Sequence, residues 1–437
     1  MTRVITLMMA VPFALAAQQS PVATGDGARA IQLDEAVRLA QRNNPAAVQA
    51  RNALRTSTAA VRTAYGQYMP SLSVSSSGSK AGGETFFQGQ LVPYRGSPWS
   101  YSRGFSTNLE LFDGGRRWYN LKSAQANVDA ADASEISQRF NVALQVKQQY
   151  FAVLAARESE SAARRQLDQA SEQLNSSTAK VRAGAATKSD SLRSAIQVGN
   201  ARLAMLTSQN NLRVANAALS RLVGATDVVT ASPADTAEMG RIVLDSTSLT
   251  ALAMEGPPVR QAEAALVASR AARKAAKTPY MPTISSSYSM NGNNTSNNFD
   301  FGSGPIPKQT NLRFSLNFPL FNNFTREENV TRTAVAEDNA VAALRDAKLA
   351  QQQSLVQFLG AFRTAEQRVA IQLATVEAAE EDLRVQQQRY ALGASVLLDL
   401  LTSQTTLDQA RAALIQARYD ARIAKAQVEA LVGRDLK

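Results

Sequence analysis

The sequence predicts a mainly α-helical fold that carries membrane β-strands, written as two copies of one unit. Three observations predict it: two very long stretches free of proline, four short segments of alternating apolar and polar residues, and a recurrence of the first half in the second. From Gly115 to Arg182 neither proline nor interior glycine interrupts the chain. At about 1.5 Å per residue that is a helix of roughly 100 Å. A helix of that length needs a packed partner along its whole run. As for the recurrence, "YMPSLSVSSS" at Tyr68 returns as "YMPTISSSYS" at Tyr280, 212 residues on. "LFDGGRR" from Leu111 becomes "LFNNFTR" from Leu320, now 209 residues on, and Gly184/Gly393, Asp190/Asp399 and Leu222/Leu431 keep that offset. The register changes once, inside a loop rich in Gly, Ser and Asn.

The elements follow in chain order. Residues 1–17 read as a secretory signal peptide: Arg3, an apolar run from Val4 to Leu15, and a small-x-small site at Ala14-Leu15-Ala16. Cysteine is absent, so no lipid-anchored mature terminus is expected, and no apolar run reaches the eighteen residues of a spanning helix. A membrane role therefore falls to strands. The first repeat, 18–224, opens with "LDEAVRLAQRNN", where Asp34 is the candidate N-cap, and continues from Pro45 at the first helical position. Strands are expected near 68–78 and 104–112, then a long helix hairpin with its tip near Gly184. Residues 225–256 read as a linker with a small helix near Leu249. The second repeat, 257–437, repeats the order, with strands near 280–290 and 311–320 and a tip near Gly393.

In "LRFSLNFPL" one face is Leu312, Phe314, Leu316 and Phe318, and the other is Arg313, Ser315 and Asn317. Leu72 and Val74 alternate with Ser71, Ser73 and Ser75 in the same way. Segments of about ten residues, apolar on one side and polar on the other, fit a transmembrane barrel strand. A half-buried strand of a soluble sheet alternates identically. Four strands cannot close a barrel, and open edges are intolerable in lipid. Three copies would supply twelve strands and close it. The glycine-, asparagine- and serine-rich segments Lys80–Arg103 and Asn291–Asn311 suit external loops.

The helices carry a sustained 3-4 spacing: Leu355, Phe358, Phe362, Ala365, Val369, Gln372, Val376, Ala379 and Leu383, answered by Leu400, Ser403, Leu407, Ala410, Leu414, Ala417, Ala421, Ala424 and Val428. A seven-residue repeat of this kind imposes a left-handed supercoil. The remaining faces are rich in Ala, Gln, Ser and Thr, which suits helices with lateral neighbours as well as a partner, as in a tube wall. A chain without histidine or cysteine lacks the commonest metal ligands, the usual neutral-pH base and any thiol nucleophile. No catalytic, cofactor-binding or metal-binding constellation stands out, so an enzyme is not expected. The net charge of +11 is spread along helices among acidic residues, without a basic block interleaved with aromatics, so no nucleic-acid partner is expected.

In this order, and twice, "LDEAVRLAQRNNP", "YMPSLSVS" and "YMPTISSS", "LFDGGRR" and "FPLFNN", and "RYALGASVLLDLLTSQTTL" resemble the TolC-like family of outer membrane efflux proteins. The resemblance covers nearly the whole chain after the signal peptide. It implies a homotrimer in the cell outer membrane: a twelve-stranded transmembrane barrel continued by a coiled-coil α-helical barrel in the periplasm, with a belt midway. It implies an exit duct of a tripartite drug-efflux pump or a type I secretion system. The partners would be a periplasmic adaptor (membrane fusion protein), an inner-membrane transporter of RND or ABC type, and outer membrane lipid. No cofactor is implied. Gly184 and Gly393 match the turns at the periplasmic tips, and Asp399 matches an aspartate that lines the closed entrance. Tyr390 matches a tyrosine whose hydroxyl reaches toward the first-copy turn aspartate, here Asp190. Where the family's best-known member has a second aspartate and a gating arginine, this chain has Thr402 and Ser395, which implies a less acidic gate held by fewer bonds. Asp399 and Asp190 would equally serve the helix dipole, and Tyr390 would equally serve core packing. The alternative from another class is an exported, non-channel coiled-coil protein with a structural or adaptor role.

Overall fold

The computed structural model describes residues 28–93, 99–233, 246–299 and 307–434. The expected signal peptide and the middle of the linker lie outside the described residues. The chain begins with a short strand β1 (Arg29–Ile31), helices α1 (Leu33–Asn43) and α2 (Pro45–Gly66), and strand β2 (Ser71–Lys80). A small hairpin follows, β3 (Glu84–Phe87) and β4 (Gln90–Pro93), then strand β5 (Trp99–Phe112). Helices α3 (Arg116–Arg182) and α4 (Lys188–Val223) lead to β6 (Val229–Ala231), α5 (Ser246–Met254) and α6 (Pro257–Ala276). Strands β7 (Thr283–Ser296) and β8 (Lys308–Asn317) precede α7 (Thr325–Ala391) and α8 (Leu397–Val432).

Asn44 separates the first two helices because a residue before proline is driven out of the helical region. It takes extended angles, and its side chain accepts from the Ala46 amide at 2.9 Å. Asp34 is not the N-cap of α1. Gln32 holds that position without a side-chain cap, and Asp34 lies in the first turn, where its charge still complements the helix dipole.

The long helices are two hairpins of the same dimensions, 67 residues up and 36 back in each case. About 100 Å of helix stands on each long arm. In the second hairpin the heptad positions meet between α7 and α8: Val376, Ala379, Leu407, Ala410 and Leu414 form one buried cluster, and Phe362, Ala365, Ala421 and Ala424 the next. Alternating large and small residues let the helices approach closely while filling the seam. No helix among the described residues is long and apolar enough to cross a membrane.

Strands β2, β5, β7 and β8 form one antiparallel sheet in that order. Its register sorts the side chains into two faces. Val74 pairs with Phe105, Phe105 with Met290, Tyr288 with Leu312, Ser286 with Phe314, and Ile284 with Leu316. These residues share one face because side chains alternate strictly along each strand. Ser73, Ser106, Ser285, Ser287, Ser315 and Asn317 share the other. The apolar face is open to its surroundings, Val74 83% and Leu316 69% exposed. β2 and β8 are unpaired edges of this sheet.

Two features were invisible in the sequence pattern. Strands β1 and β6 are only three residues each and pair in parallel, tying the start of the chain to the linker. Helix α3 fastens this pair. The Tyr150 hydroxyl donates to the Ile31 carbonyl and accepts from the Ser232 amide, both at 3.0 Å. Arg157 donates to the Ala231 carbonyl at 2.8 Å and to Thr230 Oγ1 at 2.7 Å. The fully buried Tyr150 sits in the main apolar core, with Ile31, Val146, Leu154, Leu219 and Val223.

Candidate functional site

The two helix tips, at the far end from the sheet, hold the expected gate residues. Each tip ends its long helix in the same way. Gly184 takes φ +71° and Gly393 φ +74°, the left-handed region that a side chain disfavours. The amide of Ala185 donates to the Lys180 carbonyl at 2.8 Å, and the amide of Ala394 donates to the Arg389 carbonyl at 2.8 Å. With the Gly184–Val181 and Gly393–Tyr390 bonds beside them, both tips are Schellman caps.

The return helices start differently. In α4 the Thr187 hydroxyl accepts from the Asp190 amide, and the Asp190 carboxylate accepts from the Thr187 amide, a complete capping box. The Thr187 hydroxyl also donates to Asp190 Oδ2 at 2.8 Å, and this bond first, then the one from the Thr187 amide, holds the Asp190 carboxyl below its ordinary range. In α8 the equivalent N-cap is Val396, which has no side-chain acceptor. Asp399 therefore has no backbone cap to close. It is exposed, and its Oδ2 accepts from the Ser395 hydroxyl at 2.9 Å.

Tyr390 bridges the two tips, by a different contact from the one expected. No hydrogen bond joins its hydroxyl to Asp190. Instead the Lys180 ammonium lies over its ring, 4.2 Å from the centroid. Partial burial, and then the charge of Asp190, raise its phenol above the ordinary value. The structure thus brings Asp190, Lys180 and Tyr390 into one cluster and leaves Asp399 and Ser395 as a separate, solvent-facing pair.

At the opposite end of the helices, the strand-to-helix corners repeat. The Arg117 guanidinium lies 5.0 Å from the Tyr68 ring centroid, and that of Arg326 lies 4.7 Å from Tyr280. Arg117 also pairs with the buried Asp113 at 3.1 Å and donates to the carbonyls of Gln67 and Leu111. Arg326 donates to the carbonyls of Pro319 and Leu320. That these arginines pin the corners is not legible in the sequence, because their carbonyl partners carry no side-chain signal. Among the described residues no group of His, Cys, Asp and Glu is arranged to hold a metal ion.

The profile of the family described as "Outer membrane efflux protein" matches residues 36–225 and 250–434. The chain belongs to the outer membrane efflux protein family. Over 344 residues it is 25% identical to the pyoverdine export outer membrane protein OpmQ of Pseudomonas aeruginosa, covering 76% of this chain and 69% of OpmQ. Its fold matches a membrane protein from Pseudomonas aeruginosa with a TM-score of 0.77, at 22% identity, over 92% of this chain and 93% of the other. It also matches the open state of the MtrE outer membrane channel of Neisseria gonorrhoeae with a TM-score of 0.76, at 22% identity, over 93% and 90% of the two chains. This efflux-family chain is therefore an outer membrane protein with a large periplasmic portion.

Proposed function

We propose that the chain is one third of a trimeric exit duct, gated at its periplasmic tips, in a tripartite efflux pump or a type I secretion system. The observation that carries this reading is the sheet: Val74, Phe105, Met290, Leu312, Phe314 and Leu316 gather on one face and serine and asparagine line the other, with β2 and β8 open at its edges. Open edges cannot stand in lipid. Pairing β8 of one copy with β2 of the next satisfies them, and three copies make a closed, even set of twelve strands. The matched lengths of the two hairpins support a duplicated unit whose arms alternate around a tube. A relative named for pyoverdine export supports the direction of transport.

At the tips, Asp399 would form a ring of three exposed carboxylates that concentrates cations and opposes anions. Asp190 has a lesser place, since its carboxylate already closes a helix cap. Gly184 and Gly393 build the turns, and Lys180 on Tyr390 joins neighbouring tips. A periplasmic adaptor would engage these tips and couple the duct to an inner-membrane transporter. The test is purification from outer membrane fractions and reconstitution in planar bilayers. An SDS-resistant trimer that conducts ions is expected; a soluble monomer without conductance would sink the proposal in favour of a structural coiled-coil protein.

A further inference from the structure

The polar face of the sheet carries one charge that nothing balances. Arg313 stands midway along β8, and Ser71, Asn108, Ser287 and Arg313 form one cross-strand row. The next row toward the loops is Ser73, Ser106, Ser289 and Asn311, where the hydroxyls of Ser73 and Ser106 bond to each other at 2.7 Å. The next row toward the helices holds Glu110, Ser285 and Ser315. Among the described residues of the four strands, Glu110 is the one other charged group on this face. Its carboxylate already accepts from Arg116 at 3.2 Å. It also lies two strands and one row from Arg313, about 12 Å by strand geometry. The Arg313 guanidinium is exposed and has no ion pair or hydrogen bond among the described residues. The edge beyond β8 supplies no acid either. A β2 strand paired there from a neighbouring copy offers this face serine alone, at every second position from Ser71 to Ser79.

An unpaired guanidinium midway along a strand is costly on a wall that faces lipid. On the wall of a water-filled lumen it stays hydrated. With no acid beside it and neutral hydroxyls and amides around it, its field reaches whatever solute passes, and low-dielectric walls focus that field. Three copies bring three such side chains to one level of the barrel. Rings of arginine or lysine select for anions, and the planar fork of a guanidinium matches a carboxylate in two parallel bonds. The expected Asp399 ring has the opposite sign but stands at the far end of α7, about 100 Å of helix away. At physiological salt charges are screened within about 8 Å, so the two rings act on a solute one after the other.

We infer that Arg313 is the anion-selecting residue of the barrel lumen, and that solutes bearing a carboxylate bind to it in passage. The inference rests on the proposed trimeric duct and names the class of solute its barrel favours. Planar-bilayer recordings of the full-length protein test it, with a potassium chloride gradient for selectivity and citrate as the probe anion, added to each side in turn. Citrate is expected to reduce the current. Arg313→Gln should raise the half-blocking concentration by about tenfold or more, as loss of a charge-assisted bond implies, and should shift the reversal potential toward potassium. Arg313→Lys should hold the native reversal potential, since the charge stays, but bind citrate less tightly, since an ammonium offers no fork. Raising the salt should weaken block of the native trimer. Salt-independent block overturns the inference without any variant. So does a conducting trimer in which Arg313→Gln changes neither block nor reversal potential, and that result leaves the duct standing. A native preparation that forms no trimer and passes no current overturns the duct reading, and the inference falls with it.

Discussion

Asp190 and Asp399 occupy the third position of their helices, and one neighbour decides what each does. Thr187 gives Asp190 a reciprocal cap; Val396 gives Asp399 none. Asp190→Ala, which removes the acceptor for the Thr187 amide and hydroxyl, is therefore expected to cost about 1 kcal/mol of local helix stability, as loss of a capping bond does. Amide exchange should quicken over residues 187–193 while single-channel selectivity stays unchanged. The pH sense follows from the lowered carboxyl of Asp190: its contribution is complete above the ordinary carboxylate range and is lost as pH falls through the lowered value. Asp399→Asn should do the reverse, leaving exchange unchanged but reducing cation selectivity and blockade by multivalent cations in bilayer recordings. Tyr390 follows the same logic of neighbours. The Lys180 contact uses the ring and not the hydroxyl, so Tyr390→Phe should conduct like the native channel. Tyr390→Leu should raise closed-state conductance, and a rise in the Phe variant instead would return the role to the hydroxyl. Sequence reading singled out Asp399 and Tyr390 only by resemblance. The Lys180 contact escaped it, since Lys180 and Tyr390 are more than 200 residues apart and share no pattern.

The strand-to-helix corners show how far one element's sequence predicts its surroundings. Offsets alone paired Arg117 with Arg326, and both do stack on their tyrosines and bind carbonyls. The shells around them differ. Asp113 gives Arg117 a buried ion pair, whereas the equivalent residue Asn322 has a buried side-chain oxygen without a partner, and the Nε of Arg326 is likewise unpartnered. Unpaired buried groups carry a desolvation penalty. Asn322→Asp should supply the missing acceptor and raise the temperature at which the detergent-resistant oligomer dissociates. Asp113→Asn should lower it, since removing one partner of a buried pair is costly, about 3–5 kcal/mol. Heating series on denaturing gels would rank the two variants against the native chain. The strands themselves were legible as alternation, but their ends were not. β5 starts at Trp99 and β7 runs to Ser296, because cross-strand hydrogen bonding continues into loop-like sequence such as "NGNNTS". The β1–β6 pair had no signal at all: three residues do not establish a period, and Tyr150 and Arg157 are fixed from a helix far along the chain.

At the scale of the molecule, the heptads and the recurrence made the long hairpins legible, whereas the proposed contact of the sheet with lipid depends on the chemistry of its two faces. The register settles the composition of each face, and the environment of each is then open to a direct test. Leu72 and Leu316 are on the apolar face, while Ser73 and Ser315 are on the polar one. An arginine on the lipid face of a barrel costs about 2–4 kcal/mol at mid-bilayer and less toward the interfaces, but one inside the lumen alters selectivity instead. Leu316→Arg should then reduce the yield of assembled oligomer in outer membrane fractions and lower its dissociation temperature. Ser315→Arg should assemble normally and shift ion selectivity toward anions in planar bilayers. In a soluble cap the apolar face would be buried against protein, and Ser315→Arg would lie in bulk solvent with no channel to bias. Normal assembly of Leu316→Arg, or unchanged selectivity in an assembled Ser315→Arg, would therefore contradict a lipid-facing barrel wall with Ser315 in its lumen.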